Sequence, residues 1–137
     1  MLSASSSPYF DVTAKNLGYR LRVKNLTGVT TLTAEESGTL YTVSQAAAYT
    51  ITIPDPASSN TGCVFRFVCG VAGANTVTVT TASAAATVYG AIGCAEDAAG
   101  SVAIGTYKNV NFVTSVAVVG DNFEMVSTGA LWVVRGS

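Results

Sequence analysis

The chain contains no histidine and has few charged residues of either sign. Without histidine, the Ser-His and Cys-His nucleophile pairs cannot form, and the commonest zinc ligand is missing. No Cys-x-x-Cys spacing occurs, and the segment Gly70-Val71-Ala72-Gly73 lacks the lysine of a phosphate-binding loop. The acidic residues fall in predicted turns or on outer strand faces, where carboxylates are normally solvated. The sequence therefore predicts a protein that is not an enzyme and holds no cofactor or metal ion.

The low charge content also says something about the surface. Charged residues make up 11% of the chain, against about 25% in average soluble domains. Hydrophobic residues make up 49%, which is enough for a substantial core. A surface so poor in charge is typical of a protein that is partly covered by partners. No apolar run reaches the ~18 residues of a membrane span, and Met1–Pro8 shows no signal-peptide pattern, so we expect no membrane partner.

Cysteine is also scarce. The three cysteines, Cys63, Cys69 and Cys94, are an odd number, which excludes a complete disulfide framework. Cys63 and Cys69 lie on one predicted strand at a separation of roughly 20 Å, too far apart for a bond. Two interpretations remain open: three small buried hydrophobic side chains, or a bridge from Cys94 to one of the other two.

What the sequence does contain is many short alternating segments rich in Val and Thr, the residues that strands prefer. Tyr49–Ile53 alternates apolar residues with Thr, and Cys63–Cys69 places Arg66 on the face opposite Phe65 and Phe67. About ten such strands, with turn signals every eight to twelve residues, are typical of sandwiches and jelly rolls. We therefore predict an all-β fold, an antiparallel β-sandwich of jelly-roll-like type.

The C-terminal segment predicts a three-stranded antiparallel meander made of Val110–Val119, Phe123–Val126 and Leu131–Val134. Its last two strands flank a short loop in which Gly129 can adopt a positive φ. Trp132 is the only tryptophan of the chain, and a tryptophan buries more apolar surface than any other side chain, so we expect it to anchor the core. The predicted core anchors are four aromatic residues: Trp132, Phe65, Phe67 and Phe123.

One helical turn is expected between Thr31 and Gly38. Thr33 and Glu36 have the spacing of a capping box, in which each residue satisfies a backbone N–H of the first turn. Gly38 can end the turn because it tolerates a positive φ.

The N-terminal segment differs from the rest in charge. Residues 1–28 carry a net charge of +3 and residues 29–137 carry −4. Within Asn16–Leu26, apolar residues alternate with Arg20, Arg22 and Lys24, so an extended strand would have one apolar and one basic face. Three interpretations are open: an edge strand with solvated charges, an arm laid along another subunit, or a nucleic-acid contact. The patch is small and aromatic partners are few, which argues against nucleic acid. We expect an extended arm at 1–28 and a β-sandwich domain at 29–137.

Several short motifs occur in a characteristic order between residues 30 and 136. They are Leu32–Gly38, Tyr49–Pro54, Gly62–Phe67, Gly120-Asp121, Ser127–Gly129 and Trp132–Val134. This order resembles a β-module of tailed-phage structural proteins, in which a Leu-Thr-Ala turn ends in Ser-Gly and a later strand reads Gly-x-x-Phe-x-Phe. Here Ile53 stands where leucine is usual before the proline.

The resemblance implies a structural protein of a virion. The module is found in capsid decoration (cement) proteins and in fibre or tail-associated proteins. A short chain made of the module and an arm is most similar to the decoration proteins of bacteriophage heads. These sit on the outer capsid surface, often as homotrimers, and lock capsomers of the major capsid protein together. Such a protein would be made in the host cytoplasm, and its contact residues would be those of the arm: Tyr9, Phe10, Tyr19, Arg20, Arg22 and Lys24.

Two other functions stay open. The first is a head-fibre base, tail or fibre-associated structural protein, since the module also occurs there. The second is a carbohydrate-binding module, because the six tyrosines and one tryptophan could form a sugar platform. The core-like alternation around Trp132 argues against the second.

Overall fold

A computed structural model of the chain describes residues 20–83, 85–92 and 105–136. These residues form eleven β-strands and two short 3-10 turns, Ala34–Glu36 and Ser58–Asn60. The strands are β1 (Val23–Leu26), β2 (Thr30–Thr31), β3 (Leu40–Ser44), β4 (Tyr49–Ile53), β5 (Val64–Val71), β6 (Val77–Thr81), β7 (Val88–Ile92), β8 (Gly105–Tyr107), β9 (Asn109–Phe112), β10 (Asn122–Ser127) and β11 (Trp132–Gly136). The predicted all-β class is confirmed. Within the described residues, no helix is long and apolar enough to span a membrane.

The strands are arranged in two sheets. One has seven strands in the order β1-β3-β5-β10-β11-β7-β8, and the other has four in the order β2-β4-β6-β9. Apolar side chains from both sheets meet in one core, as in a β-sandwich. The rings of Phe112 on β9 and Phe123 on β10, for example, have centroids 5.2 Å apart across the two sheets.

The first six strands alternate between the two sheets. β1, β3 and β5 pair in parallel in the larger sheet, and β2, β4 and β6 pair in parallel in the smaller one. Each connection between parallel neighbours therefore passes through a strand of the opposite sheet, which provides the long crossover that parallel pairing requires.

The sheets are consequently mixed, and the prediction of an antiparallel sandwich is wrong for five of the nine strand pairs among the described residues. The alternation of apolar and polar residues identifies the buried face of a strand, but it is the same for a parallel and an antiparallel partner. A jelly-roll-like arrangement is not confirmed.

The predicted C-terminal meander forms only in part. The hairpin of β10 and β11 is present, and Gly129 in its loop has a φ of +91°. β9 ends at Phe112, however, and pairs with β6 in the other sheet instead of with β10. The strand predicted to continue to Val119 gives way to turns after Phe112, where Ser115 adopts a φ of +56°. Apolar residues that lie in this loop cannot be distinguished from strand residues by composition alone.

The aromatic core lies on the inner face of the larger sheet. Tyr41, Phe67 and Phe123 are in register on β3, β5 and β10, and their neighbouring ring centroids are 5.4 and 5.1 Å apart. Phe65 packs on Trp132 at 5.4 Å. All four predicted anchors, Trp132, Phe65, Phe67 and Phe123, are buried. Ring pairs at this spacing add to the stabilisation that comes from burying their area.

The predicted helical turn is confirmed as the 3-10 turn at Ala34–Glu36. The backbone N–H of Thr33 donates to Glu36 Oε2 over 2.9 Å, which is one half of the expected capping box. Gly38 ends the turn with a φ of +86°.

Candidate interaction surfaces

The arm residues predicted to contact a partner divide into two groups. Tyr9, Phe10 and Tyr19 lie outside the described residues. Arg20, Arg22 and Lys24 are described, and Lys24 belongs to β1, the edge strand of the seven-stranded sheet. The Leu40 N–H also donates to the Arg22 carbonyl oxygen over 2.8 Å, so this part of the chain is attached to the sheet.

Lys24 has a partner within the chain. Its ammonium lies 3.7 Å from Glu36 Oε1, and both side chains are partly exposed. Leu21 and Val23, from the apolar half of the alternation, are 41% and 59% exposed. Within the described part of this segment, Val23–Leu26 is an edge strand, and the apolar side chains of Leu21 and Val23 face outward while Leu26 is buried. The ion pair with Glu36 was not predicted, because the register between β1 and β3 cannot be obtained from the sequence.

The outer face of the larger sheet carries three charged side chains in one row. Arg66, Glu124 and Arg135 are in register on β5, β10 and β11. Arg66 Nε donates to Glu124 Oε2 over 2.8 Å, and an Arg135 guanidinium nitrogen donates to Oε1 over 3.1 Å. The hydrogen bond from Arg66 is the main cause that lowers the pKa of Glu124, and Arg135 adds to it. The prediction that Arg66 lies opposite Phe65 and Phe67 is confirmed.

An apolar row runs beside the charged one. Val64, Val126, Val133 and Tyr89 are in register across β5, β10, β11 and β7. Val133 and Tyr89 are exposed, and the other two are half-buried. The outer face therefore combines an apolar strip with a charge cluster in which one Glu pairs with two Arg, so the cluster has a net charge of +1.

A second apolar surface lies at one end of the two sheets. Five exposed valines occur at the end of β5 and in the loop that follows β9: Val71, Val113, Val116, Val118 and Val119. We call this surface the valine end. Backbone hydrogen bonds hold the loop against β5, because Gly120 N–H donates to the Cys69 carbonyl over 2.9 Å and Cys69 N–H donates to the Asp121 carbonyl over 2.8 Å.

Gln45 fixes the loops beneath the valine end. Its side chain is fully buried, and its Nε2 donates to the carbonyl oxygens of Asn75, Phe112 and Val113 over 2.9, 3.2 and 3.2 Å. The Gly73 N–H donates to its Oε1 over 3.2 Å. A buried amide that makes these bonds joins three separate loops, so the valines are held on a well-defined backbone. The sequence gives no signal for this role, because glutamine is usually exposed.

The motifs behind the phage resemblance contact one another. Ser37 Oγ accepts from the Val64 N–H over 3.0 Å, and the Gly38 N–H donates to the Val64 carbonyl over 2.8 Å, which joins the Ser-Gly turn to the Gly-x-x-Phe strand. Trp132 Nε1 donates to the Pro54 carbonyl over 2.9 Å, which joins the final strand to the end of β4. Trp132 is also fully buried, so it cannot form part of a sugar platform.

The loop around Gly62 is attached to the C-terminal hairpin. Gly62 N–H donates to the Ser127 carbonyl, Ser127 N–H donates to the Cys63 carbonyl, and Ser127 Oγ donates to Asn60 Oδ1 over 2.8 Å. A side chain at Gly129 would place its Cβ 2.6 Å from Thr61 Oγ1. These motif residues hold strand ends together, and each has a structural role in this fold.

The two described cysteines are free thiols. Cys69 is fully buried, and burial raises the pKa of its thiol. Cys63 is half-buried against the core. The predicted alternative of a bridge from Cys94 involves a residue outside the described part of the chain.

Three buried hydroxyl groups have no hydrogen-bond partner within the described residues: those of Thr39, Tyr41 and Thr81. Burial is the main cause that raises the pKa of Tyr41 to about 12. Among residues 20–83, 85–92 and 105–136, no group of three or more Cys, Asp or Glu side chains is placed to hold a metal ion.

No protein-family model matches the sequence, and comparisons with curated proteins and with solved structures find no significant match.

Proposed function

We propose that the chain is a non-enzymatic structural protein of a tailed-phage virion, a capsid decoration (cement) protein that binds the outer surface of the head and stabilises it. Its partners are the major capsid protein and other copies of the chain, in a homotrimer. The observation that carries the proposal is the order of the phage-type motifs, from Leu32–Gly38 to Trp132–Val134. Their mutual contacts support treating them as one module.

The surface chemistry fits this role. Only 11% of the residues are charged, and apolar side chains are exposed on the outer face of the larger sheet and at the valine end. A capsid under internal pressure is stabilised by added buried interface, and a small domain can supply more of it through an extended arm. The arm residues Tyr9, Phe10, Tyr19, Arg20, Arg22 and Lys24 are the proposed capsid or intersubunit contacts.

The proposal is tested with heads assembled from the major capsid protein alone. The purified full chain should co-sediment with these heads and raise the temperature at which they break. A chain lacking residues 1–19 is the informative variant, because β1 belongs to the sheet and its removal would expose the edge of β3. We expect the truncated chain to keep its fold and lose head binding. Unchanged binding would eliminate the contacts proposed for Tyr9, Phe10 and Tyr19, and no binding by the full chain would eliminate the decoration role.

A second candidate is a head-fibre base, tail or fibre-associated protein. The parallel winding of β1–β3–β5 and β2–β4–β6 favours it, because successive coils of parallel strands are the construction principle of β-solenoid fibres. Gold-labelled antibody against the chain separates the two candidates in electron micrographs of whole particles. Label spread over the head supports decoration, and label at one vertex or on an appendage supports the fibre or tail role.

A further inference from the structure

The valine end is an apolar surface without charged side chains in the loops that form it. The loops that form it, residues 44–49, 71–77 and 112–120, contain no Asp, Glu, Lys or Arg. Asp121 follows directly, but its Oδ2 accepts the Val118 N–H over 3.0 Å and so serves the loop itself. Val116 and Val119 are 54% and 65% exposed. Apolar side chains gathered in this way on a fixed backbone are typical of an interaction surface.

The chemistry of the surface restricts its occupant. A strongly charged partner would find no opposite charge there. A lipid surface is usually bound through apolar residues flanked by Lys or Arg, and no Lys or Arg occurs in these loops. A second copy of the chain needs neither an opposite charge nor a flanking Lys or Arg for binding. Identical uncharged apolar surfaces bring no like charges together and leave no charge desolvated.

The other surfaces are less suited to self-contact. The outer face of the larger sheet has Arg66 and Arg135, and the opposite end has Glu35, Asp55 and Lys108. A symmetric contact through either surface would bring like charges of the two copies close together.

We propose that copies of this chain associate through the valine end, with Val116 and Val119 at the centre of the contact. The inference rests on the proposed function, in which several copies act together on the head, and it identifies the surface that joins them. Preorganisation by Gln45 favours the association, because the loops lose little conformational freedom when they become buried.

The test is the mass of the full chain in solution, measured by light scattering over a wide range of concentrations. The wild-type chain should form an oligomer that dissociates on dilution. The variant Val116→Lys/Val119→Lys should be monomeric, because like charges would face each other across the contact. The control Tyr107→Lys/Val133→Lys adds the same charge at exposed positions outside the arm and the valine end and should keep the wild-type mass.

A milder variant distinguishes a lost contact from a loss of association that is caused by misfolding. Val116→Thr/Val119→Thr preserves side-chain shape and should weaken association at least about tenfold. A wild-type chain that is monomeric at every concentration would overturn the inference, and so would a valine-end variant that keeps the full oligomer mass. Head binding is measured separately, so an oligomer that ignores capsids would contradict the proposed function and leave the inference standing.

Discussion

The indole of Trp132 donates to the carbonyl of Pro54 over 2.9 Å and so connects the last of the motifs to the second. Pro54 closes β4 in the smaller sheet, whereas Trp132 opens β11 in the larger one. The bond therefore ties the two sheets together at one end of the core. It also satisfies the one polar atom of a fully buried side chain, which would otherwise destabilise the fold.

Replacing Trp132 by Phe should lower the free energy of unfolding by about 2–4 kcal/mol, since the change leaves a cavity and an unpaired Pro54 carbonyl. Urea denaturation measures the effect. The neighbouring exposed position provides the control, because Val133→Ala should cost less than about 1 kcal/mol. A loss for Trp132→Phe as small as that of the control would contradict the role given to this bond.

Two tyrosines allow a matched test of buried hydroxyl groups. The Tyr41 hydroxyl faces that of Thr39 but makes no well-formed hydrogen bond within the described residues, so Tyr41→Phe should leave stability unchanged or raise it by up to about 1 kcal/mol. The Tyr49 hydroxyl contacts the carbonyl oxygens of Ser44 at 2.8 Å and Leu26 at 2.9 Å. Tyr49→Phe should therefore destabilise the protein by about 1–2 kcal/mol. Equal losses in the two variants, measured by thermal unfolding, would indicate a buried water on Tyr41.

Substitutions of Gly129 and Gly120 distinguish two causes of strain: a positive φ angle and a clash of the new Cβ with a neighbour. Both have positive φ angles, +91° and +102°, but only Gly129 would place a new Cβ against a neighbour, Thr61 Oγ1 at 2.6 Å. Gly120→Ala should cost about 1–2 kcal/mol from backbone strain alone, and Gly129→Ala should cost more. Adding Thr61→Ala to Gly129→Ala should return the loss to the level of Gly120→Ala. If the second substitution recovers nothing, the clash is not the cause.

The ion cluster on the outer sheet face should make stability depend on pH. The hydrogen bond from Arg66 holds the pKa of Glu124 below its ordinary value of 4.5, so the folded state binds this proton less readily than the unfolded state. The resulting stabilisation is complete at pH values above the unfolded-state pKa and is lost as the pH falls through the folded-state pKa.

The variant Glu124→Gln isolates this contribution. Because the cluster is partly exposed, the substitution should cost no more than about 1 kcal/mol at neutral pH. The difference in melting temperature between variant and wild type should shrink as the pH is lowered from 6 to 3. Glu35→Gln, at an exposed position, serves as the control and should show little effect. A Glu124→Gln difference that is constant with pH would refute the assignment.

Much of the strand content could be predicted, and the reason is geometric. In β4 and β5 the alternation of apolar and polar residues follows the alternation of buried and exposed faces, so the strands and their inner faces are correctly placed. The hairpin before Trp132 was likewise predictable, because its loop needs a glycine with positive φ.

The pairing of strands could not be predicted in the same way. Nothing in the composition of β3 indicates that β1 and β5 flank it in parallel, because parallel and antiparallel partners present the same pattern to the core. Residues 113–119, in the loop after β9, were assigned to a strand for a related reason: valine favours strands, and only the tertiary structure leaves Val116 and Val119 exposed. The role of Gln45 and the ion pair between Glu36 and Lys24 were missed because these partners are fixed by tertiary contacts.

The position of β10 and β11 in the larger sheet has a consequence for synthesis. They lie between β5 on one side and β7 on the other, although they are the last of the described strands to be made. Until they emerge from the ribosome, the sheet exists as two separate parts, each with an open edge that can pair with another chain. The nascent protein should therefore remain prone to aggregation until β10 and β11 have emerged, and the sheet should then close in a late step that depends on distant contacts.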